Sequence, residues 1–465
     1  MKRTAVLNIV GLAESLLGPE TPRINQFLSR GAKVGIVPAF PAVTCTAQSS
    51  YLTGTSPAQH GIVGNGWYNR ELAEVQFWKQ SNHLVQGRKI WEELRELEPG
   101  FTCAQLFWWY NMYSTADYTL TPRPMYPADG RKFFDVYSWP YSIRTDIKKE
   151  LGEFPFATFW GPGAGIKTPQ GAPDACSRWI ANSAKWIEKK YAPTLSLVYL
   201  PHLDYNLQRL GPNHPDIARD LREIDAIVGD LLDYFAERSV QVILLSEYGI
   251  TPVDFPVHVN RILRENNWLT VKEELGREML DCGASRAFAV ADHQVAHIYL
   301  NDLSLVKPVR AVLEREPGVA QVLDRAQQAE LGVDHPRAGD LIAVARENAW
   351  FTYYYWLDDD LAPDFARCVD IHRKPGYDPV ELFLDPKIPA VKLKILRRLL
   401  QKKLGFRMLM DVIPLDATLV KGSHGCRPAD PRHYPLLISG RPELLPSKQL
   451  DAVDVYDVIK RHLLH

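Results

Sequence analysis

The sequence predicts an α/β protein with a doubly wound, mostly parallel central sheet, helices on both faces and inserted cap elements. Three observations predict it. Residues 196–200 (SLVYL) and 240–245 (VQVILL) are apolar, β-branched runs bounded by turn signals, the pattern of buried parallel strands. Between them, Ile217, Leu221, Ile224, Ile227, Val228, Leu231 and Leu232 recur at the spacing of one helix face. The same strand, helix, strand order opens the chain: residues 6–12 (VLNIVGL), then Thr21-Pro22 through Leu28 with Gly31 as a stop, then residues 33–37. Residues 43–52 lead into a further helix. Repetition of this unit argues for a doubly wound sheet.

The 465 residues are enough for one large core, and we read them as a single domain. Two stretches interrupt the alternation. Residues 75–180 are rich in aromatics and prolines, including Phe107-Trp108-Trp109-Tyr110. Residues 265–345 return to strand and helix patterns. Both read as insertions, the second as an α/β cap, and the aromatic run reads first as core packing. Lys plus Arg is 54 and Asp plus Glu is 55, so no global field attracts nucleic acid, and any anionic substrate must be held locally. The six cysteines are scattered without a CxxC pair, which suggests reduced thiols and a cytoplasmic protein. Lys2 and Arg3 before an apolar run superficially resemble a leader, but the run is short, contains Asn8 and reads as the first buried strand. No apolar run reaches the roughly 18 residues of a membrane helix. In residues 387–407, Leu and Ile alternate with Lys and Arg. Such a basic amphipathic helix either presents a solvated face or makes peripheral contact with a membrane.

Several polar residues stand at positions suited to chemistry. Thr44 lies between a strand-like segment and a helix start, where a hydroxyl either caps the helix or meets a phosphate. Asn65 lies in the turn following His60-Gly61. Asp204 and Glu247 each follow an apolar strand, and the carboxyl edge of an open α/β sheet is where ligands bind. His424 sits in a Gly-Ser-His-Gly turn. Each is weak alone; together they supply a hydroxyl, two carboxylates and an imidazole, each beside a turn signal.

The order of four segments resembles the alkaline phosphatase superfamily, in its nucleotide pyrophosphatase/phosphodiesterase branch. They are VGLAESLLGPETPRINQFLSRG, FPAVT through YLTGTSPAQHGIVGN, VYLPHLDYNLQRLGP and KGSHG. The resemblance implies an alkaline-phosphatase-like fold, with Thr44 as nucleophile and Asn65 as the amide that meets a phosphoryl oxygen. It implies Asp204 and His424 as metal ligands, in a family where two divalent ions, usually zinc, flank the phosphoryl group. This sequence departs from the family at Val10, where an aspartate is usual, and at Gln208, where a histidine is usual. It departs again at Glu247-Tyr248, where an Asp-His pair is usual. Glu247 is then a substitute carboxylate and Gln208 a weak oxygen donor for zinc. One Zn2+ is expected and a second is doubtful. Asn8, Glu14, His202, Asp292-His293, His297 and the cluster at residues 370–374 are further polar candidates without a family match.

The expected function is hydrolysis of a small phosphorylated substrate through Thr44 and at least one divalent metal. The alternative is a degenerate member that binds a phosphorylated metabolite or organises partner enzymes.

Overall fold

In this computed structural model, residues 1–129, 131–169 and 171–465 are described. Among them, nine strands form the central sheet, in the order Leu450–Asp451, Ala32–Val37, Leu436–Ser439, Gln241–Leu245, Thr4–Ile9, Leu195–Leu200, Cys103–Leu106, Tyr118–Pro122 and Val136–Trp139. The five strands from Gln241–Leu245 to Tyr118–Pro122 are parallel. Leu436–Ser439 and the Val136–Trp139 edge run antiparallel to their neighbours. The first strand lies in the middle and is buried along its whole length. That explains why, Asn8 apart, it reads as an apolar run rather than an alternating one.

Helix Ile217–Ala236 carries the anticipated stripe. Ile217, Leu221, Ile224, Ile227, Val228 and Leu231 are buried, as is Phe235. Part of the aromatic-rich segment lies in the sheet itself, because Cys103–Leu106, Tyr118–Pro122 and Val136–Trp139 all fall between residues 75 and 180. Phe107, Trp108 and Tyr110 are buried, whereas Trp109 lines a pocket.

A second, four-stranded antiparallel sheet has the order Ala287–Asp292, Val295–Leu300, Leu341–Ala345, Val319–Leu323. It is covered by its own apolar cluster, distinct from that of the central sheet. The stretch FAVADHQVAHIYL is two strands, not one. The chain reverses at His293-Gln294, with His293 at φ 60°. Tight hairpins favour positive φ and are usually marked by Gly or Asn; neither is present here, so the turn leaves no mark in the sequence.

Buried imidazoles give this architecture a defined acid sensitivity. His297 donates from Nε2 to the Val63 carbonyl and accepts at Nδ1 from the Gly339 N–H, so both nitrogens suit the neutral ring alone. Burial pushes it down to about 4 and His60 down to about 3. Their stabilising effect is therefore complete above about 6.5 and is lost as pH falls towards 4 for His297 and towards 3 for His60, because the unfolded chain takes up the protons first. At roughly 1.4 kcal/mol per pKa unit, His297 alone contributes on the order of 3 kcal/mol. Raised carboxyls such as Asp204 and Glu247 act in the opposite sense, so the test is the difference between variants. The urea midpoint of His297→Gln should fall less than that of wild type between pH 6.5 and 4.5, and parallel midpoints would contradict this account.

Candidate active site

The carboxyl edge of the central sheet gathers the chemistry. Strand Leu195–Leu200 leads through Pro201 into helix His202–Leu210, which carries Asp204 and Gln208 on successive turns. Strand Gln241–Leu245 delivers Ser246, Glu247 and Tyr248. Thr44 is the first residue of helix Thr44–Thr53, whose cap position is Val43. Its hydroxyl therefore stands at the positive end of a helix dipole.

His424 reaches the same place through a close approach of backbone. The short strand Gly422–Ser423 lies directly on the helix of Asp204. A Cβ at Gly422 would sit 2.0 Å from the Leu207 carbonyl oxygen, so only glycine permits this packing. The Lys421 N–H donates to the Gln208 carbonyl across the same contact.

These elements build a continuous hydrogen-bonded chain. The Tyr248 hydroxyl donates to Asp204 Oδ1 at 3.1 Å and lies 3.2 Å from Thr44 Oγ1. Its single proton is committed to the carboxylate, so Thr44 is the donor in the second contact. Gln208 Nε2 donates to Asp204 Oδ2 at 2.8 Å, and the Tyr377 hydroxyl donates to Gln208 Oε1 at 3.0 Å. Tyr248 stacks on His424 with centroids 3.5 Å apart and an interplanar angle of 7°. Thr44, Asp204 and His424 thus converge on one residue, Tyr248, that the sequence marked only as a departure from the family pattern. Burial pushes the Asp204 carboxyl up to about 7 and that of Glu247 up to about 8, each against its hydrogen bonds.

Glu247 is held through one of its two oxygens. Its Oε1 accepts from Asn8 Nδ2 and Gln48 Nε2, both at 2.5 Å, and Gln48 in turn accepts the Trp109 N–H. Asn65 is also engaged. Its Oδ1 accepts the Cys45 N–H, while its own N–H and Nδ2 donate to Asp292. Asn65 therefore ties the start of the Thr44 helix to the second sheet, with one amide hydrogen uncommitted among the described residues.

His293, at the hairpin turn, completes the site. It packs against His424, with centroids 3.8 Å apart, and against Tyr377 at 3.5 Å. Asp292 engages its Nδ1 and the Ala42 carbonyl engages His424 Nδ1. In both rings this leaves Nε2 as the lone-pair nitrogen, the arrangement of metal-ligating histidines. His293 Nε2 is buried and has no partner among the described residues. Burial holds both rings neutral, well below the usual histidine range.

The donor atoms of Asp204, His424 and His293 do not all lie within 4.8 Å of one another, so they are not assembled as a cation site. Asp204 and His293 line the pocket, whereas His424 packs against Tyr248 and His293 and is not part of the lining. Nearby, Val10 is apolar, Tyr248 lies between Thr44 and Asp204, and Glu247 holds two amides on Oε1 while its Oε2 is buried with no partner among the described residues. Elsewhere, among the described residues, donor atoms of His202, Asp220 and Glu223 lie within 4.8 Å of one another. Arg219 sits 2.8 Å from Asp220 and 4.0 Å from Glu223, so a guanidinium already offsets that negative charge.

The pocket over Thr44 is walled by Trp78, Trp109, Phe159, Trp160, Tyr199, Tyr205, Ile371 and Tyr377. Of the cluster at residues 370–374, Ile371 contributes to this wall. Lys374 is instead buried in an ion pair with Asp378 and Glu381. Glu14 pairs with Lys33, and His202 with Glu223.

Comparison with known proteins places this geometry. Residues 4–378 match the family model described as type I phosphodiesterase / nucleotide pyrophosphatase. An uncharacterised pyrophosphatase/phosphodiesterase of Schizosaccharomyces pombe is 22% identical over 282 residues, covering 59% of this chain and 49% of that protein. The chain thus spans about half the length of this curated relative. Murine ectonucleotide pyrophosphatase/phosphodiesterase 5, solved as an inactive variant with AMP, superposes with a TM-score of 0.58 at 14% identity. That match covers 100% of this chain and 95% of the other. Phosphonoacetate hydrolase of Sinorhizobium meliloti, solved with phosphonoformate, gives a TM-score of 0.60 at 14% identity, covering 99% and 96%. These likenesses show that the fold is shared.

Proposed function

Because this chain belongs to the type I phosphodiesterase / nucleotide pyrophosphatase family, we propose that it hydrolyses a small phosphoric ester through Thr44. The observation that carries this reading is the chain from Thr44 Oγ1 through the Tyr248 hydroxyl to Asp204 at the base of an aromatic pocket. Zn2+ is the ion that imidazole and carboxylate donors would take, but Asp204, His424 and His293 do not bring their donor atoms together and both Asp204 oxygens accept hydrogen bonds, so no step is routed through a metal.

The chain's own residues carry the steps. Thr44 Oγ1 attacks phosphorus. Its proton passes to the Tyr248 oxygen while the Tyr248 proton passes to Asp204 Oδ1. The bond to the leaving oxygen breaks, and that oxygen departs with the electron pair. Water then cleaves the phosphothreonine and the proton path runs in reverse. Helix Thr44–Thr53 directs its N-terminus at the developing negative charge. The uncommitted Asn65 amide hydrogen is suited to an equatorial oxygen. The tryptophan and tyrosine walls pack against the leaving group and exclude water. The six cysteines are free and buried, in keeping with a reducing, cytoplasmic setting.

A second reading has its own support. Val10 is inert and the donor atoms of Asp204, His424 and His293 do not gather around one point, which suits a member that binds a phosphorylated metabolite without turning it over. Acid quenching during turnover of an aryl phosphodiester, followed by peptide mass spectrometry, separates the two. We expect phosphate on Thr44, and none in Thr44→Ala together with loss of turnover. A protein that binds phosphate esters, releases no aryl product and never carries phosphate on Thr44 would establish the binding role instead.

A further inference from the structure

Helix Val391–Lys403 is mounted with its apolar face outward. On its inner side Val391 and Ile395 meet the second core, and Lys394 and Arg398 are tied to Asp411 at 2.9 and 3.1 Å. No residue of the helix is buried. Leu393, Leu396 and Leu400 recur at i, i+3 and i+7 and are 65%, 63% and 55% exposed. Leu404 and Phe406 continue the exposed run. An ordinary surface helix buries such a stripe and exposes its charges; here ion pairs to Asp411 anchor the helix and the leucines face outward.

The charges around the stripe have one sign. The helix contains no acidic residue. Among the described residues, Lys392, Arg397 and Lys403 form no ion pair. Beyond its C-terminal end lies a second exposed apolar segment. Lys402 Nζ sits 5.9 Å from the Phe134 ring, and Arg407 donates to the Asp129 carbonyl. Tyr126, Phe133 and Phe134 are exposed, with Lys132 over the Tyr126 and Phe134 rings. This surface adjoins the active-site pocket. Phe134 stacks on Phe156 at 4.7 Å, and Phe156 meets Phe159, a residue of the pocket wall.

We propose that helix Val391–Lys403, with the neighbouring aromatic loop, docks this protein onto an anionic lipid bilayer. The leucines and Phe406 enter the acyl boundary, and Lys392, Arg397, Lys403 and Lys132 meet the lipid phosphates. Leucines interleaved with unpaired cations match such an interface, which rewards apolar burial and positive charge together. The helix lies on the surface rather than across it: no helix among the described residues is long and apolar enough to cross a membrane. Docking would hold the pocket mouth near the bilayer and does not depend on whether Thr44 turns over substrate.

Vesicle flotation tests this with the full chain, using phosphatidylcholine vesicles and equimolar phosphatidylcholine/phosphatidylserine vesicles. Wild type should float with the anionic vesicles and remain largely free with neutral ones. The triple change Leu393→Ser, Leu396→Ser, Leu400→Ser should lower binding at least about tenfold. Lys392→Glu, Arg397→Glu, Lys403→Glu should remove the preference for phosphatidylserine. Both variants should keep the wild-type circular dichroism, since the altered side chains face outward. The proposal is overturned if wild type ignores both vesicle types, if the serine variant binds as well as wild type, or if light scattering shows a dimer that this variant dissociates.

Discussion

Tyr248→Phe is expected to lower kcat by about 10²- to 10³-fold while leaving KM nearly unchanged, the range of a lost proton-transfer group. The ring would keep its stacking on His424, so the site should hold its shape. What disappears is the acceptor for the Thr44 proton and the donor to Asp204 Oδ1. The hydroxyl touches the nucleophile and not the leaving-group walls, so the loss falls on chemistry rather than binding. Asp204→Asn should produce a loss of similar size, and combining the two changes should cost little more than either alone, because both interrupt one path. Steady-state kinetics on an aryl phosphodiester, with metal content measured on each variant, reads the result. Wild-type kcat in Tyr248→Phe at equal metal content would remove the relay from the mechanism. A fall explained wholly by lost metal would reassign Tyr248 to positioning His424.

The largest stability effect is expected at Lys374. Its Nζ lies 2.7 Å from both Asp378 Oδ2 and Glu381 Oε1, and all three side chains are almost completely buried. Lys374→Met leaves two carboxylates in an apolar interior without a counter-ion, a change that costs about 3–5 kcal/mol when one buried partner is removed. Adding Asp378→Asn and Glu381→Gln should return much of the loss, because the remaining groups are then neutral. The effect should also reach the pocket. Glu381 accepts from Trp160 Nε1 at 2.6 Å and from the Asp370 N–H, and Tyr377 between the charged residues holds Gln208 against Asp204. Urea unfolding at neutral pH measures the first effect, and quenching of pocket tryptophan fluorescence reports the second. A loss below about 1 kcal/mol would mean that the lysine is dispensable to this segment.

The elements legible in the sequence were those whose periodicity survives burial. The stripe of helix Ile217–Ala236 and the strands Leu195–Leu200 and Gln241–Leu245 stand where the patterns put them. The short strands between residues 75 and 180 were not legible as part of the sheet. Strands of four or five residues leave too little pattern to separate them from loop, and their aromatic content suited a decorative role as well as a central one. The hairpin at His293 was hidden for a different reason: its turn has neither the glycine nor the asparagine that usually marks positive φ.

The sequence by itself determined the α/β alternation, the order of the motif segments and which side chains stand at positions 44, 204 and 424. Those depend on local spacing and residue type, which the chain carries along its length. Only the tertiary structure decided that a tyrosine hydroxyl lies between Thr44 and Asp204, that His293 stands beside His424, and that one oxygen of Glu247 accepts from both Asn8 and Gln48. Such contacts join residues far apart in the sequence, and hydrogen bonds and ring stacking act over only a few ångströms. Their partners are therefore set by how the sheets close on one another, which no window of sequence contains.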